Sequence, residues 1–243
     1  MTNKAIALIP ARSGSKRVKN KNVKILGGHP LIAFTISCAL KSKIFDRVII
    51  ATDDEAYAEI GERYGAHVPF LRNKSNAEDT SPDIDWVTEV LDHFEADNKS
   101  FDFFSILRPT SPFRSAKTIQ RAWKIFKNSD ADSLRAVELC KQHPGKMWRI
   151  ESGLLKPLFD EEINGTPWHS NQYSSLPEIY VQNASLEIAK TKVLRETKTI
   201  SGNIIVPFFT EGFEGFDINS EEDWVLAEKY VEEGLVVLPR LDF

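Results

Sequence analysis

The chain reads as an α/β protein, a mainly parallel sheet with helices packed on both faces. Short, almost wholly apolar runs recur along it, among them Ala5 to Pro10 (AIALIP), Arg47 to Ala51 (RVIIA) and Phe101 to Leu107 (FDFFSIL). Such runs have the length and composition of strands buried on both sides, as parallel strands are. Between them lie longer segments with apolar residues at helical spacing, bracketed by cap and turn residues. Strand and helix in this alternation give crossover connections that cover both faces of one sheet.

The elements follow in order. Pro30 opens a helix in which Leu31, Ile32, Phe34, Thr35, Cys38 and Ala39 recur at helical spacing. After the second strand, Thr52, Asp53 and Asp54 offer N-cap oxygens to a helix through Tyr64 that Gly65 ends. His67 to Leu71 is a candidate third strand. Ser81 and Pro82 form a cap and first turn ahead of Trp86, Val87, Val90, Leu91 and Phe94 on one face. Helix Ser115 to Phe126 follows the strand at 101–107. From Gln142 to Ser175 the rhythm breaks, and Pro, Gly, Asn, Trp and His dominate. This excursion reads as a hairpin with an extended arm within one domain spanning 1–243. Its aromatics Trp148, Phe159, Trp168 and Tyr173 either line a subunit interface or pack as an ordered surface loop. Strand patterns return at Ile179 to Ala189 and Gly202 to Pro207. Ser220 and Asp223 then make an S-x-x-D capping box for a helix through Trp224, Ala227, Tyr230 and Val231.

Bulk properties narrow the classes. With 243 residues, 42% hydrophobic and 27% charged, the chain is an ordinary globular protein. A net charge of −4 argues against a general nucleic-acid binder, so any phosphate affinity must be local. The two cysteines, Cys38 and Cys140, stand far apart and form no metal or disulfide framework. No signal peptide and no membrane-length apolar run is read, which points to the cytoplasm and to no membrane partner.

Local chemistry concentrates in four places. Residues 11 to 22 (ARSGSKRVKNKN) carry Arg12, Lys16, Arg17, Lys19 and Lys21 with no acid, directly after the first strand. Gly14 lets backbone approach an anion, and Ser13 and Ser15 add short donors, so the loop suits a polyphosphate. Neither G-x-x-x-x-G-K-[ST] nor G-x-G-x-x-G is present, and a solvated basic loop is the plainer alternative. Arg108 to Arg114 (RPTSPFR) also follows a strand, and its two arginines suit a carboxylate or phosphate. Gly215 to Asn219 (GFDIN) places Asp217 and Asn219 on one side, where they hold magnesium or serve the turn before the last helix. In Tyr180 to Glu187 (YVQNASLE), Gln182 and Asn183 interrupt an apolar strand, either as hydrogen-bonded edge amides or as ligand contacts. His143 stands alone, and no nucleophile–base arrangement is read.

Taken together, the motifs IALIPARSGSKRVKNKN, FDRVIIATDD, LRNKSNAEDT, LRPTSPFR, YVQNASLE and FDINSEEDW resemble the CMP-acylneuraminate synthetase family over nearly the whole chain. The resemblance implies a Rossmann-like three-layer α/β/α fold with an inserted dimerisation arm and a homodimer. It implies CMP transfer from CTP, with Mg²⁺, to the anomeric hydroxyl of a nine-carbon acidic sugar, or an eight-carbon one in Kdo-type relatives. It assigns Arg12, Ser13, Lys16, Lys21 and Asn22 to the nucleotide loop, and Arg72 with the segment Asp79 to Asp83 to the cytidine. Asp217 and Asn219 fall on the metal positions; Arg12, Lys21 and Asp217 are the implied catalytic set, and Arg108, Gln182 and Asn183 face the sugar.

Three positions depart from the family pattern. Asn219 replaces a second aspartate, Arg108 stands where sialic-acid enzymes commonly have Gln, and YVQNAS replaces an arginine-containing string. The last two lie on the sugar side, which points to legionaminic, pseudaminic or Kdo-like acids rather than N-acetylneuraminate. The rival readings are transfer of another nucleotide, action on a sugar phosphate, and a non-catalytic CTP- or sugar-binding module.

Overall fold

A computed structural model describes residues 3–76 and 81–241. The chain runs β1 (Ala5–Pro10), the short β2 (Ile25–Leu26) and β3 (His29–Pro30), α1 (Leu31–Ser42), β4 (Arg47–Ala51) and α2 (Glu55–Arg63). Next come α3 (Asp83–Ala96), β5 (Phe103–Ile106), α4 (Ala116–Lys127) and β6 (Ser133–Leu139). The short strands β7 (Trp148–Glu151), β8 (Leu154–Pro157), β9 (Glu162–Ile163) and β10 (Thr166–Pro167) follow. Finally come β11 (Tyr180–Lys190), α5 (Thr191–Thr197), β12 (Ile205–Phe209) and α6 (Glu221–Glu232). Two compact units result: Met1–Ala136 with Asn183–Phe243, and Val137–Gln182.

The large unit is built on a sheet of order β12-β6-β11-β5-β1-β4. Strand β1 pairs in parallel with β4 (Ile6 opposite Arg47) and with β5 (Ala5 opposite Phe103), whereas β11 runs antiparallel to β5. The alternation of side chains along a strand sorts β1 between two cores. Ala5, Ala7 and Ile9 pack with Ile32 and Ile36 of α1 and Ile119 and Phe126 of α4. Ile6 and Leu8 face Trp86, Val87, Val90 and Leu91 of α3. This is the expected mainly parallel three-layer α/β/α arrangement. A third cluster joins Val18, Leu31 and Phe34 to Ile218, Trp224 and Ala227, fastening the cationic loop beside α6.

Several local expectations change. His67–Leu71 contributes one isolated parallel bridge, His67 to Ile49, because Pro69 has no N–H to extend the ladder. Asp54 caps α2 by accepting from Tyr57 N at 3.1 Å, which leaves Asp53 for another task. Pro82 occupies the N-cap of α3, and the Ser81 hydroxyl donates to Ser75 O at 2.8 Å instead of capping. The capping boxes of α4 (Ser115, Thr118) and α6 (Ser220, Asp223) are both present. Strand β6 and helix α5 have no counterpart in the sequence reading.

In the small unit, β7 and β8 form an antiparallel hairpin with Ile150 opposite Leu155 and Trp148 opposite Pro157. Its turn places Ser152 and Gly153 at φ 52° and 78°, the left-handed pair that matches strand twist. His143 is a structural histidine: Nδ1 accepts from Gly145 N at 3.0 Å, and Nε2 lies 2.9 Å from Pro177 O. Its ring meets Trp168 edge-on at 5.5 Å.

Candidate active site

In an open parallel sheet, ligands sit outside the carboxyl ends of strands where successive crossovers diverge. Here that point lies between β1 and β5, because β4 is laid down on one side of β1 and β5 on the other. A cavity of about 520 Å³ opens there. One wall is the loop after β1, with Arg12, Lys16, Arg17, Lys21 and Asn22; another is Arg72, Asp83 and Trp86; Arg108, Pro109 and Thr110 come from the loop after β5.

The cationic loop is braced from behind. The Asp53 carboxylate accepts from Ser13 N at 2.7 Å and from Ser13 Oγ at 2.9 Å. Burial alone would raise the Asp53 carboxyl, but these two bonds bring it below the usual aspartate range. Ser13 is thus engaged with the scaffold and is not among the cavity-lining residues. Asn22 is buried and donates to Arg12 O at 3.2 Å, and Lys21 Nζ donates to Ile218 O at 2.6 Å. Burial pushes the Lys21 ammonium below its ordinary value, against the pull of Asp217.

Arg72 is buried, and its guanidinium lies 5.1 Å from the centroid of the Trp86 ring. Burial lowers its pKa while Glu89, Asp53 and Asp83 oppose the shift. The Trp86 indole N–H donates to Asp83 Oδ1 at 2.8 Å, and Arg108 Nη2 donates to Asp83 Oδ2 at 2.5 Å. Burial would raise the Asp83 carboxyl, but Arg108 and the indole hold it below the ordinary range. Arg108 Nη2 also reaches Glu187 Oε1 at 3.1 Å, and Glu187 Oε2 is ion-paired with Arg135. Of the two arginines in RPTSPFR, only Arg108 lines the cavity; Arg114 is buried beneath the loop.

Asp217 and Asn219 sit beside Lys21 at the entry to α6. Asn219 Nδ2 donates to Asp217 Oδ2 at 2.5 Å, while Asp217 Oδ1 is buried with no hydrogen-bond partner among the described residues. An orphaned carboxylate oxygen beside an amide side chain fits a hard divalent cation. No group of three or more acidic, His or Cys side chains suited to a metal occurs among the described residues, so such an ion would lean on water and phosphate.

The structure therefore brings Arg12, Lys16, Lys21, Asn22, Arg72, Asp83 and Arg108 around one cavity. Asn183 is engaged within the large unit, donating to Thr210 Oγ1 at 2.9 Å and accepting from Ser185 N at 3.2 Å. Gln182 is an exposed residue of the small unit. Asp79 lies outside the described residues. Sequence reasoning missed Glu187 and Arg135; the only available signal was two unlike charges inside strand-like segments, far apart in the chain.

An open α/β sheet with a cationic cavity at its switch point is an arrangement suited to a nucleotide. A family model described as cytidylyltransferase matches residues 6–189. The chain belongs to the cytidylyltransferase family and is a nucleotidyltransferase. It is 36% identical over 230 residues to the CMP-N,N'-diacetyllegionaminic acid synthase of Legionella pneumophila, covering 93% of this chain and 96% of that protein. It is 31% identical to the N-acylneuraminate cytidylyltransferase of Escherichia coli over 93% of this chain and 52% of that longer protein. A solved CMP:2-keto-3-deoxy-manno-octonic acid synthetase, complexed with CTP, shares the fold with TM-score 0.68 at 13% identity, over 96% of this chain and all of that one (100%). No helix among the described residues is long and apolar enough to cross a membrane.

Proposed function

We propose that this enzyme transfers CMP from CTP to the anomeric hydroxyl of an acidic nonulosonic α-keto sugar of the legionaminic type, releasing pyrophosphate. The observation that carries this reading is the meeting, in one cavity, of the cationic loop after β1 with Arg108 after β5. The likeness over nearly full length to the legionaminic acid synthase supports the acceptor class.

In the reaction the anomeric oxygen forms a bond to the α-phosphorus as the bond to the pyrophosphate oxygen breaks, and the hydroxyl proton passes to solvent. Catalysis is then mostly positioning and charge stabilisation. Arg12, Lys16 and Lys21 hold the triphosphate, with Asn22 and Ser13 fixing the loop that carries them. Lys21, pinned to Ile218 O, stabilises charge that grows on the leaving pyrophosphate. Arg72 and Asp83 lie where the cytidine is read, and Arg108 faces the acceptor carboxylate. Asp217, with the Asn219 carbonyl, would hold Mg²⁺. When bound, that ion neutralises phosphate charge and lowers the pKa of the attacking hydroxyl.

We further propose a homodimer built on the small unit and working in the cytoplasm. One face of the β7–β8 hairpin carries Trp148, Ile150 and Leu155, with Ile150 76% and Leu155 64% exposed. An isolated two-stranded hairpin with an apolar face is marginal in water and gains from a second copy to cover it.

The test is pyrophosphate release with CTP and Mg²⁺ across N,N'-diacetyllegionaminic, pseudaminic, N-acetylneuraminic and Kdo-type acids. Release is expected with the legionaminic acid and weakly with N-acetylneuraminate. A preference for N-acetylneuraminate would overturn the acceptor assignment, and release with GTP or UTP but not CTP would overturn the donor.

A further inference from the structure

Four side chains at the β5 end of the cavity form one alternating chain of charge: Asp83, Arg108, Glu187 and Arg135. Glu187 and Arg135 project from β11 and β6, with side chains 7% and 13% exposed, and neither lines the cavity. A buried ion pair in a sheet is a poor source of stability, since desolvation offsets most of the attraction. Its effect on Arg108 is the informative part.

A guanidinium grips a carboxylate through two adjacent nitrogens, either Nη1 with Nη2 or Nε with Nη2. Nη2 belongs to both of these edges. In Arg108, Nη2 carries two hydrogens and already serves two carboxylates, Asp83 at 2.5 Å and Glu187 at 3.1 Å. An incoming carboxylate therefore takes a two-nitrogen grip only when one of these acids leaves. Glu187 is held on its other oxygen by Arg135, inside the sheet. Asp83 is on the first turn of α3, 29% exposed, and lines the cavity itself. A second cation, Arg72, already feels its charge from the same wall.

We propose that Asp83 is a built-in stand-in for the acceptor's carboxylate. In the unliganded enzyme it occupies Arg108. When the acidic acceptor arrives, one carboxylate replaces another on a guanidinium that Glu187 and Arg135 keep in place, and Asp83 turns toward Arg72. The exchange keeps the charge on Arg108 balanced before and after binding, and it disfavours neutral sugars, which offer nothing to replace Asp83. Asp83 is thereby a specificity-determining residue, and Glu187 and Arg135 are positioning residues. This deepens the reading of Arg108 as the acceptor-carboxylate contact and rests on it.

The test uses pyruvate, the smallest α-keto carboxylate, titrated into the full chain at constant chloride and followed by NMR. Asp83→Asn removes the competing charge but keeps an oxygen for the Trp86 indole. It should bind pyruvate about fivefold more tightly than the parent, in keeping with release of a partly buried ion pair. Trp86→Phe keeps an aromatic ring but removes the N–H that steadies Asp83, so it should shift affinity in the same direction. Arg108→Met should abolish the response. Unchanged or weaker pyruvate binding in both Asp83→Asn and Trp86→Phe, with the fold intact, overturns the proposal. The readout needs no turnover, so a failure of CMP transfer, seen as absent pyrophosphate release, remains a separate result.

Discussion

The guanidinium of Arg114 closes back on the carbonyl of Arg108, six residues upstream, through Nη1 at 3.3 Å and Nη2 at 3.2 Å. Nη1 also bonds Ser185 O, and Nη2 bonds Thr35 Oγ1 at 2.8 Å. The loop that presents Arg108 is thus drawn shut around a fully buried cation, whose pKa burial brings down to about 10. Arg114→Met removes the charged donor these oxygens share and leaves Arg108 O with only the long contacts from Ser111 N at 3.4 Å and Thr35 Oγ1 at 3.5 Å. It should lower stability by about 2–3 kcal/mol and Tm by roughly 6–10 °C. Differential scanning calorimetry checks this, and a Tm within a degree of the parent would rule out the clasp.

Lys21 is expected to act as a cation, so its depressed pKa has a kinetic signature. The competent form is protonated, and activity should fall as pH rises through a value below the ordinary 10.5. The unfolded chain holds that proton more tightly, so stability at this site increases over the same interval. The alkaline decline in kcat/KM should therefore occur without loss of folded protein. Lys21→Arg should move the decline upward, and Lys21→Met should reduce kcat about a hundredfold at neutral pH. A pH profile identical in parent and Lys21→Arg would contradict the assignment.

The pair Asp217 and Asn219 predicts a metal response. Asn219→Asp places two carboxylates where an amide now donates at 2.5 Å. Without divalent ion the variant should melt below the parent; with saturating Mg²⁺ it should recover or exceed it. Half-saturating Mg²⁺ for activity should fall by about fivefold, since ligand charge tunes affinity for hard cations. Magnesium-independent melting of both proteins would remove Asp217 as a ligand.

The apolar hairpin face predicts an oligomeric state. Leu155→Glu puts a charge directly opposite Ile150 on the exposed face. Sedimentation should show a dimer for the parent and a monomer for the variant at micromolar concentration. A monomeric parent would dispose of the interface.

Much of the large unit was legible because its strands obey local rules. AIALIP and RVIIA are buried on both faces and carry almost no charge, so composition alone identifies them. Strand β6 (SLRAVEL) was hidden by Arg135, whose charge is matched by Glu187 on β11, distant in sequence. A local pattern registers such a residue as polar and breaks the run. The cation-rich loop announced itself through composition, whereas Asp53 looked like one of three candidate caps. Its bond to Ser13 exists only once β1 and β4 lie side by side. The electrostatics of Arg108 are equally non-local: Arg108 and Asp83 were both visible, but their pairing and the part of Glu187 were not.

The bond from Lys21 to Ile218 spans 197 positions. A ribosome adding about 5–20 residues per second exposes the cationic segment on the order of 10–40 s before this anchor exists. The N-terminal part of the nascent chain thus carries five cations of the loop while the carbonyl that fixes one of them is still unmade. On the proposed role of this loop, tight nucleotide capture would arrive late in synthesis, once the chain is translated through Ile218, and a product stalled short of that point would carry the loop without its anchor.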